Sequence, residues 1–245
     1  MKIIKNPLFW SGIKNQVSSL SSATTRKLRL GINPATWRGN LQTVLAAPNK
    51  VKTVEHHKAL PYRALPEFFA QLKAIDGISS LALEFAILNA SRTGEVIGGL
   101  RSEVEDGVWI IPAKRMKAKK EHRVPLCKRS LEILQMASNL DPNSKFLFSK
   151  GGKPISNMAM SMLVRRLKYD VTVHGFRSTF RDWVSEETNH SPEVAEMALA
   201  HAIQNKVEAA YRRRDLLERR RHLMTEWGDF CTTPLSENVI QLKVA

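Results

Sequence analysis

The chain has 245 residues, of which 43% are hydrophobic, so it is long enough to bury a core as one large domain or two small ones. Its 38 lysines and arginines against 23 acidic residues give a net charge of +15 at pH 7, which favours a polyanionic partner, with nucleic acid ahead of an anionic membrane. No apolar run approaches the roughly 20 residues of a membrane span, and no signal-peptide pattern follows Met1, so we expect no membrane association and no export.

The cysteine and histidine usage argues against a metalloprotein or a disulfide-stapled fold. Cys127 and Cys231 are the only cysteines, far apart and without CxxC spacing, which suits a reducing cytosol. The adjacent His56 and His57 invite a metal interpretation, but no third ligand lies at helical or turn spacing. We therefore interpret this pair as part of an exposed linker, and we predict neither a metal nor a cofactor.

An apolar helix ends at a charged motif in the first half of the chain. Helical signals begin at Leu65, and the segment 79–90 is predicted to be a largely apolar buried helix. It leads directly into Ser-Arg-Thr-Gly-Glu, residues 91–95, so Arg92 sits where a core helix breaks. A buried arginine needs a partner, and Glu95 is near. Two interpretations stay open: an ion pair that ties two helices together, or an Arg92 that points at phosphate while Glu95 orients the backbone.

A basic turn is predicted between two strands. The segments 108–112 and 122–126 have the alternation and composition of strands, which makes the residues between them the turn of a β-hairpin. Such a turn can enter a DNA groove and place an ammonium near a leaving oxygen, or it can be an ordinary solvated edge that discourages aggregation. Its basic residues are Lys114, Arg115, Lys117, Lys119 and Lys120.

Further helices are predicted over 128–137, 155–167 and 216–227. In the second of these, Ile155, Met158, Met162 and Leu163 fall on one face, and we interpret the methionines as core filling rather than as a cofactor site. Leu223 and Trp227 are among the expected core contacts of the third helix.

The segment 173–183 carries a patterned set of cationic side chains. His174 and Arg177 are three residues apart and Arg181 follows four residues later, so a helix would project all three from roughly one face. Guanidinium groups present a fork of donors that matches phosphate oxygens, and an imidazole can donate to the same group or move a proton. Two interpretations stay open at this point: a face that binds a phosphate, or a solvated basic helix.

Two more candidate residues follow. The segment 191–199 has a cap residue and an early proline, so it is predicted to form a helix that presents His201 just beyond its end. Tyr211, one of three tyrosines, is predicted to lie on a helix over 206–214 and is followed by three arginines. A phenol beside fixed positive charge ionises more easily, which makes Tyr211 a candidate nucleophile.

Taken together, these motifs resemble the catalytic domain of the tyrosine recombinases, the phage integrase family, and in particular its satellite-phage-type prophage integrases that insert at transfer RNA genes. The resemblance covers residues 33–231. It rests on five motifs in order: 91–95, 111–117 with 124–126, 174–183, 199–201 and 210–213. It implies a mainly α fold with a small antiparallel β-sheet.

The resemblance also implies how the phosphate is held. Arg92 and Arg177 match the two arginines that grip the non-bridging oxygens of the scissile phosphate, and His201 matches a histidine that contacts it. Preorganised cations of this kind stabilise the charge that develops when a phosphodiester is attacked.

The covalent chemistry follows from three other matched positions. Tyr211 matches the nucleophile that forms a 3′-phosphotyrosyl link, Lys117 the hairpin lysine that protonates the departing 5′ oxygen, and His174 a hydrogen-bond partner or proton acceptor. No metal is required, and no spaced carboxylate set of a two-metal nuclease is present. Further DNA contacts are expected from Lys114, Arg115, Lys119, Lys120 and Arg181.

The expected organisation is a remnant of a helical core-binding domain plus linker over 1–50, the catalytic domain over 51–231, and a tail over 232–245. Only the end of the core-binding domain is recognisable, around 31–39, so the resemblance predicts a chain truncated at its N-terminus.

The expected function is integration of a prophage or genomic island in the bacterial cytoplasm, at the nucleoid. The expected partners are double-stranded attachment sites, other copies in a tetrameric synapse and accessory DNA-bending proteins. Two alternatives are a non-catalytic DNA-binding remnant and a relaxing activity like that of a type IB topoisomerase.

Overall fold

The computed structural model describes residues 57–201 and 215–233. They form mainly helices with two small antiparallel sheets, so the fold class predicted from the sequence is confirmed. The helix predicted over 206–214 lies outside the described residues. In chain order the elements are α1 Leu65–Lys73, α2 Ile78–Leu88, α3 Thr93–Ile97, β1 Val104–Glu105, β2 Val108–Ile111, β3 His122–Pro125, α4 Lys128–Leu140, β4 Ser149–Lys150, β5 Lys153–Pro154, α5 Ala159–Arg166, α6 Gly175–Glu187, α7 Pro192–Ala198 and α8 Leu217–Thr232.

Helix α2 is the centre of the core. Every residue from Ser80 to Leu88 is buried, because the helix packs against α1, α3, α4, α5 and α8. A helix that is apolar on nearly all sides is stable only when it is surrounded in this way. Its one carboxylate, on Glu84, is satisfied by Arg129 of α4 at 2.7 Å. Within the described ranges, no helix is long and apolar enough to cross a membrane.

The predicted β-hairpin is confirmed. Strand β2 pairs antiparallel with β3, with Trp109 opposite Val124 and Ile111 opposite His122, and β1 adds a third strand to the other edge of β2. Trp109 and Ile111 are fully buried. The basic turn therefore projects from a hairpin that is fixed in the core.

Aromatic packing holds α6 against α8. Trp227 of α8 lies edge-on to Phe180 of α6 with ring centroids 5.2 Å apart, and it also packs on Trp183 at 5.0 Å. Its indole nitrogen donates to the carbonyl of Ile87 at 3.0 Å, which links both helices to α2. Such ring pairs contribute about 0.5–1.5 kcal/mol each beyond their buried area. These contacts of Trp227 fix the position of α6, the helix that carries Arg177.

The predicted core face of the segment 155–167 is wrong at two methionines. Met158 and Met162 are 49% and 41% exposed, whereas Met160 and Val164 are buried. The helix begins at Ala159, so Met158 is its N-cap and stands outside the helical periodicity. The face that packs on α2 is therefore rotated from the one predicted.

Candidate active site

Arg92 lies at the junction of α2 and α3. Ala90 has a φ of 45°, in the left-handed region, which turns the chain after α2, and Arg92 is the N-cap of α3. The buried carboxylate of Glu95 accepts from the Arg92 backbone N–H at 2.8 Å and from its Nη1 at 2.7 Å. Glu95 thus fixes both the backbone and the guanidinium of Arg92. The side chain of Arg92 remains 24% exposed, so the ion pair does not bury it completely.

Arg177 is buried on α6 and joins three parts of the fold. It donates from Nη1 to the carbonyl of Ala90, beside Arg92, and from Nη2 to the carbonyl of Leu199 at 2.6 Å. Burial, followed by the positive charge of Arg92, lowers its pKa to about 10. A guanidinium with this pKa is still protonated at neutral pH, so the site has two arginine charges close enough to repel each other.

His201 follows α7, as predicted, and its two ring nitrogens contact Glu196 and Arg177. Its Nδ1 lies 2.5 Å from an Oε of Glu196, and its Nε2 lies 3.3 Å from Nη2 of Arg177. Arg181 donates to the other carboxylate oxygen of Glu196 at 2.7 Å. Although partial burial opposes it, the hydrogen bonds from Arg181 and His201 lower the pKa of Glu196. A charged carboxylate therefore orients the imidazole toward Arg177.

His174 is the N-cap residue of α6 and lies beside the same arginines. The residue as a whole is exposed, but part of its ring is shielded from water. This desolvation and then the charges of His57, Arg177, Arg92 and His201 lower its pKa. The ring is thus kept neutral in a cationic surrounding, and a neutral imidazole can accept a proton.

The basic turn is divided between inward and outward side chains. Arg115 donates to the carbonyl of Glu95 at 2.9 Å and to the carboxylate of Glu103 at 2.5 Å, so its guanidinium is engaged inside the protein. Met116 is buried at 2% exposure and anchors the turn. The four lysines of the turn are exposed and, within residues 57–201 and 215–233, none forms an ion pair; they are Lys114, Lys117, Lys119 and Lys120.

Sequence reasoning missed His122, at the start of β3. Its ring is largely buried near Arg220, Glu95 and Arg177 and hydrogen-bonds to the backbone of Ala198. Burial, followed by the charge of Arg220, lowers its pKa to about 4. This neutral ring ties the hairpin to the end of α7, three residues before His201. Nothing in the local sequence distinguishes His122 from an ordinary strand residue.

His57 is exposed, in agreement with the predicted linker, but it also contacts the site. Its ring lies against that of His174, with centroids 4.5 Å apart and an interplanar angle of 62°. The linker interpretation thus missed a contact with a site residue. Tyr211 lies outside the described residues. Among those that are described, no group of three or more histidine, cysteine, aspartate or glutamate side chains is arranged to hold a metal ion.

Four of the five catalytic candidates that the structure describes, Arg92, His174, Arg177 and His201, are therefore brought together at one end of α6, and the fifth, Lys117, lies on the exposed turn. The fold that brings them together is that of the tyrosine recombinase catalytic domain. A lambda integrase tetramer bound to a Holliday junction matches with a TM-score of 0.54 and 16% identity, over 78% of this chain and 58% of that one. The integrase from mycobacterium phage Brujita matches with a TM-score of 0.55 and 15% identity, over 94% and 75%.

The sequence profile of the phage integrase family matches residues 61–217, and the chain belongs to this family. Similar proteins include the integrase of Enterobacteria phage P4, which is 28% identical over 90% of this chain and 56% of its own length. The prophage integrases IntA and IntZ of Escherichia coli K12 are 33% and 30% identical, over 63% and 77% of this chain and 39% and 48% of their lengths. The resemblance inferred from the motifs is confirmed. The chain spans about half the length of these relatives.

Proposed function

We propose that the chain is a site-specific DNA recombinase that cleaves and rejoins strands through a 3′-phosphotyrosyl link to Tyr211, for integration of a prophage or genomic island. The observation that carries the proposal is the convergence of Arg92, Arg177, His174 and His201 on one open end of α6. In this proposal residues 51–231 are the catalytic domain.

The arginines have donors left for a phosphate. Arg177 uses Nη1 and Nη2 for Ala90, Leu199 and His201, but its Nε hydrogen and second Nη1 hydrogen have no partner among the described residues. The side chain of Arg92 is 24% exposed, and its pair with Glu95 uses only Nη1. Two planar cations with free donors stabilise the extra charge on the equatorial oxygens as the phosphorus is attacked.

The reaction balances without a cofactor. The phenol oxygen of Tyr211 bonds to phosphorus while its proton passes to the neutral ring of His174, and the bond from phosphorus to the 5′ oxygen breaks. Lys117 on the exposed turn gives a proton to that oxygen, which leaves as a hydroxyl. The tyrosyl ester keeps the bond energy, so the 5′ hydroxyl of another strand reverses the step without ATP.

Tyr211 is ten residues after His201 and four before Asp215. Both flanking segments are anchored: His201 by Glu196, and Asp215 by Arg220, which donates to its carboxylate at 3.1 Å. Arg220 is 2% exposed and also donates to the carbonyl of Arg123 in β3. The sequence position of Tyr211 thus lies between His201, in the pocket, and Asp215, which is held by Arg220 and Arg123.

The partners follow from the same chemistry. The net charge of +15 and the four exposed turn lysines favour double-stranded DNA, and exchange between two duplexes needs several copies of the chain, as in the lambda integrase tetramer on a Holliday junction. We extend the proposal to a tetrameric synapse on attachment sites, assisted by DNA-bending proteins, at the bacterial nucleoid. Arg115 and Arg181, engaged with Glu103 and Glu196, are assigned to positioning instead of DNA contact.

The test is trapping of a covalent complex on a nicked suicide attachment site. Wild-type protein is expected to form an adduct of protein and DNA, and Tyr211→Phe is expected to form none. Tyr169→Phe is the matched control, because Tyr169 packs edge-on to Phe68 outside the pocket and should leave the adduct unchanged. An adduct from Tyr211→Phe would refute the assignment.

Two other outcomes would support the alternative functions. A gel shift without any adduct from wild-type protein would support a DNA-binding remnant. Relaxation of a plasmid without an attachment site would support a topoisomerase-like activity.

A further inference from the structure

The segment 57–60, which we call the strap, crosses the start of α6. The carbonyl of Lys58 accepts from the backbone N–H of Thr172 at 3.0 Å, and the carbonyl of Leu60 accepts from the Thr179 hydroxyl at 2.6 Å. Leu60 is 5% exposed and belongs to the core. The strap is thus fixed at Lys58 and Leu60 by one backbone and one side-chain hydrogen bond, whose donors lie on either side of the first turn of α6.

Gly175 allows the strap to touch the helix directly. A Cβ atom added at this position would lie 2.0 Å from the carbonyl oxygen of Lys58 and 2.8 Å from its carbonyl carbon. These atoms belong to backbone that is itself hydrogen-bonded, so they cannot move aside cheaply. The close approach of strap and helix therefore requires glycine, and it is this approach that brings His57 to His174.

The two histidine rings meet edge to face. Their centroids are 4.5 Å apart at an interplanar angle of 62°, a geometry that fixes the plane of one ring relative to the other. We propose that His57 is a positioning residue for His174: its ring sets the orientation of the His174 ring, and its charge when protonated favours the neutral form of that ring. This inference rests on the proposed function, in which His174 accepts the proton of Tyr211.

The charged surroundings of His174 are consistent with this role. The groups that act on it are His57 from the strap, Arg177 from α6, Arg92 from the α2–α3 junction and His201 after α7. After desolvation, the contribution of His57 to the lowered pKa of His174 is the largest. The neighbouring Lys58 is paired with Asp170 at 2.5 Å, so His57 is the strap side chain that contacts His174.

The decisive measurement is an NMR titration of the His174 ring in the full chain, free of DNA. In His57→Phe a ring remains at the contact but the charge is lost, and in His57→Ala both are lost. We expect the pKa of His174 to rise toward its ordinary value in both variants. His222→Phe removes an exposed imidazole on α8 and should leave the pKa of His174 unchanged. Equal His174 titration curves in wild-type protein and both His57 variants would overturn the proposal.

A second measurement separates positioning from charge. Protonated His174 cannot accept the proton of Tyr211, so cleavage of the suicide substrate should fall as pH drops below the pKa of His174. Because this pKa is expected to be higher in both variants, their cleavage rates should begin to fall at a higher pH than that of wild-type protein. His57→Ala should also cleave about tenfold more slowly at its optimum, well short of the 10²–10⁴-fold that a general acid–base group contributes. Identical pH profiles would again overturn the role of His57. The NMR result stands whether or not the chain cleaves DNA, so failure of the proposed function is seen separately, as absence of any adduct from wild-type protein.

Discussion

The Nδ1 atom of His201 lies 2.5 Å from an Oε of Glu196, and this contact determines which ring nitrogen faces Arg177. The charged carboxylate accepts from Nδ1, which leaves Nε2 as the ring nitrogen that faces Nη2 of Arg177 at 3.3 Å. Arg181 completes the arrangement by holding the second oxygen of Glu196. The pocket is therefore preorganised through side chains that do not themselves reach the phosphate.

Glu196→Gln should slow strand cleavage on the order of tenfold, because the neutral amide holds His201 and Arg181 less firmly and a misplaced group reduces the rate. The measurement is the single-turnover rate of adduct formation. Glu226→Gln is a matched control, since Glu226 pairs with His190 at 3.0 Å outside the pocket, and it should leave the rate unchanged. Equal slowing by both changes would show that the effect is one of general stability.

Arg177→Lys should reduce cleavage on the order of 10²–10³-fold, as expected for loss of one preorganised donor at a developing charge. A lysine keeps the charge but cannot donate to two carbonyls and a phosphate in one plane. Arg101 offers a comparison, because its guanidinium also clamps two carbonyls, those of Pro142 and Asp141, at 2.7 and 2.6 Å. Arg101→Lys should cleave at nearly the wild-type rate. If Arg101→Lys lost as much cleavage activity as Arg177→Lys, the loss in Arg177→Lys would not indicate a phosphate contact.

The sequence could predict the order of the site residues and the elements that carry them, because helix periodicity and motif spacing are local properties. It could not predict which groups hold them. Arg177 meets the carbonyl of Ala90 across 87 residues of chain, and only the folded core brings the two together. In the same way, Arg115 and Lys117 are equivalent in a pattern of basic residues. One is turned inward to Glu103 and the other is exposed, and this difference depends on the rest of the fold.

The buried ring of His122 should make stability depend on pH. Its pKa of about 4 in the folded protein lies below the ordinary value of 6.5, so the unfolded chain binds more protons between these values. Stability is therefore lost as pH falls from about 6.5 toward 4, with a contribution of about 2 kcal/mol between pH 7 and pH 5. Urea unfolding at both pH values measures it.

His122→Phe should flatten this pH dependence by about the same 2 kcal/mol, whatever its effect on absolute stability. His222→Phe removes an exposed ring instead and should keep the wild-type dependence. If His122→Phe and wild-type protein lost equal stability between the two pH values, His122 would not be the titrating group.

A change of leaving group should distinguish Lys117 from the other lysines of the exposed turn. Lys117→Ala should slow cleavage of an ordinary phosphodiester on the order of 10²-fold or more, because the 5′ oxygen then departs without a proton. A substrate with sulfur at that position should be cleaved by Lys117→Ala at nearly the wild-type rate, since a thiol, with a pKa of about 8.5, leaves as thiolate without protonation. Lys114 is exposed on the same turn, and Lys114→Ala should show neither the loss nor the rescue. A Lys117→Ala variant that is equally slow on both substrates would assign this lysine to binding and not to proton transfer.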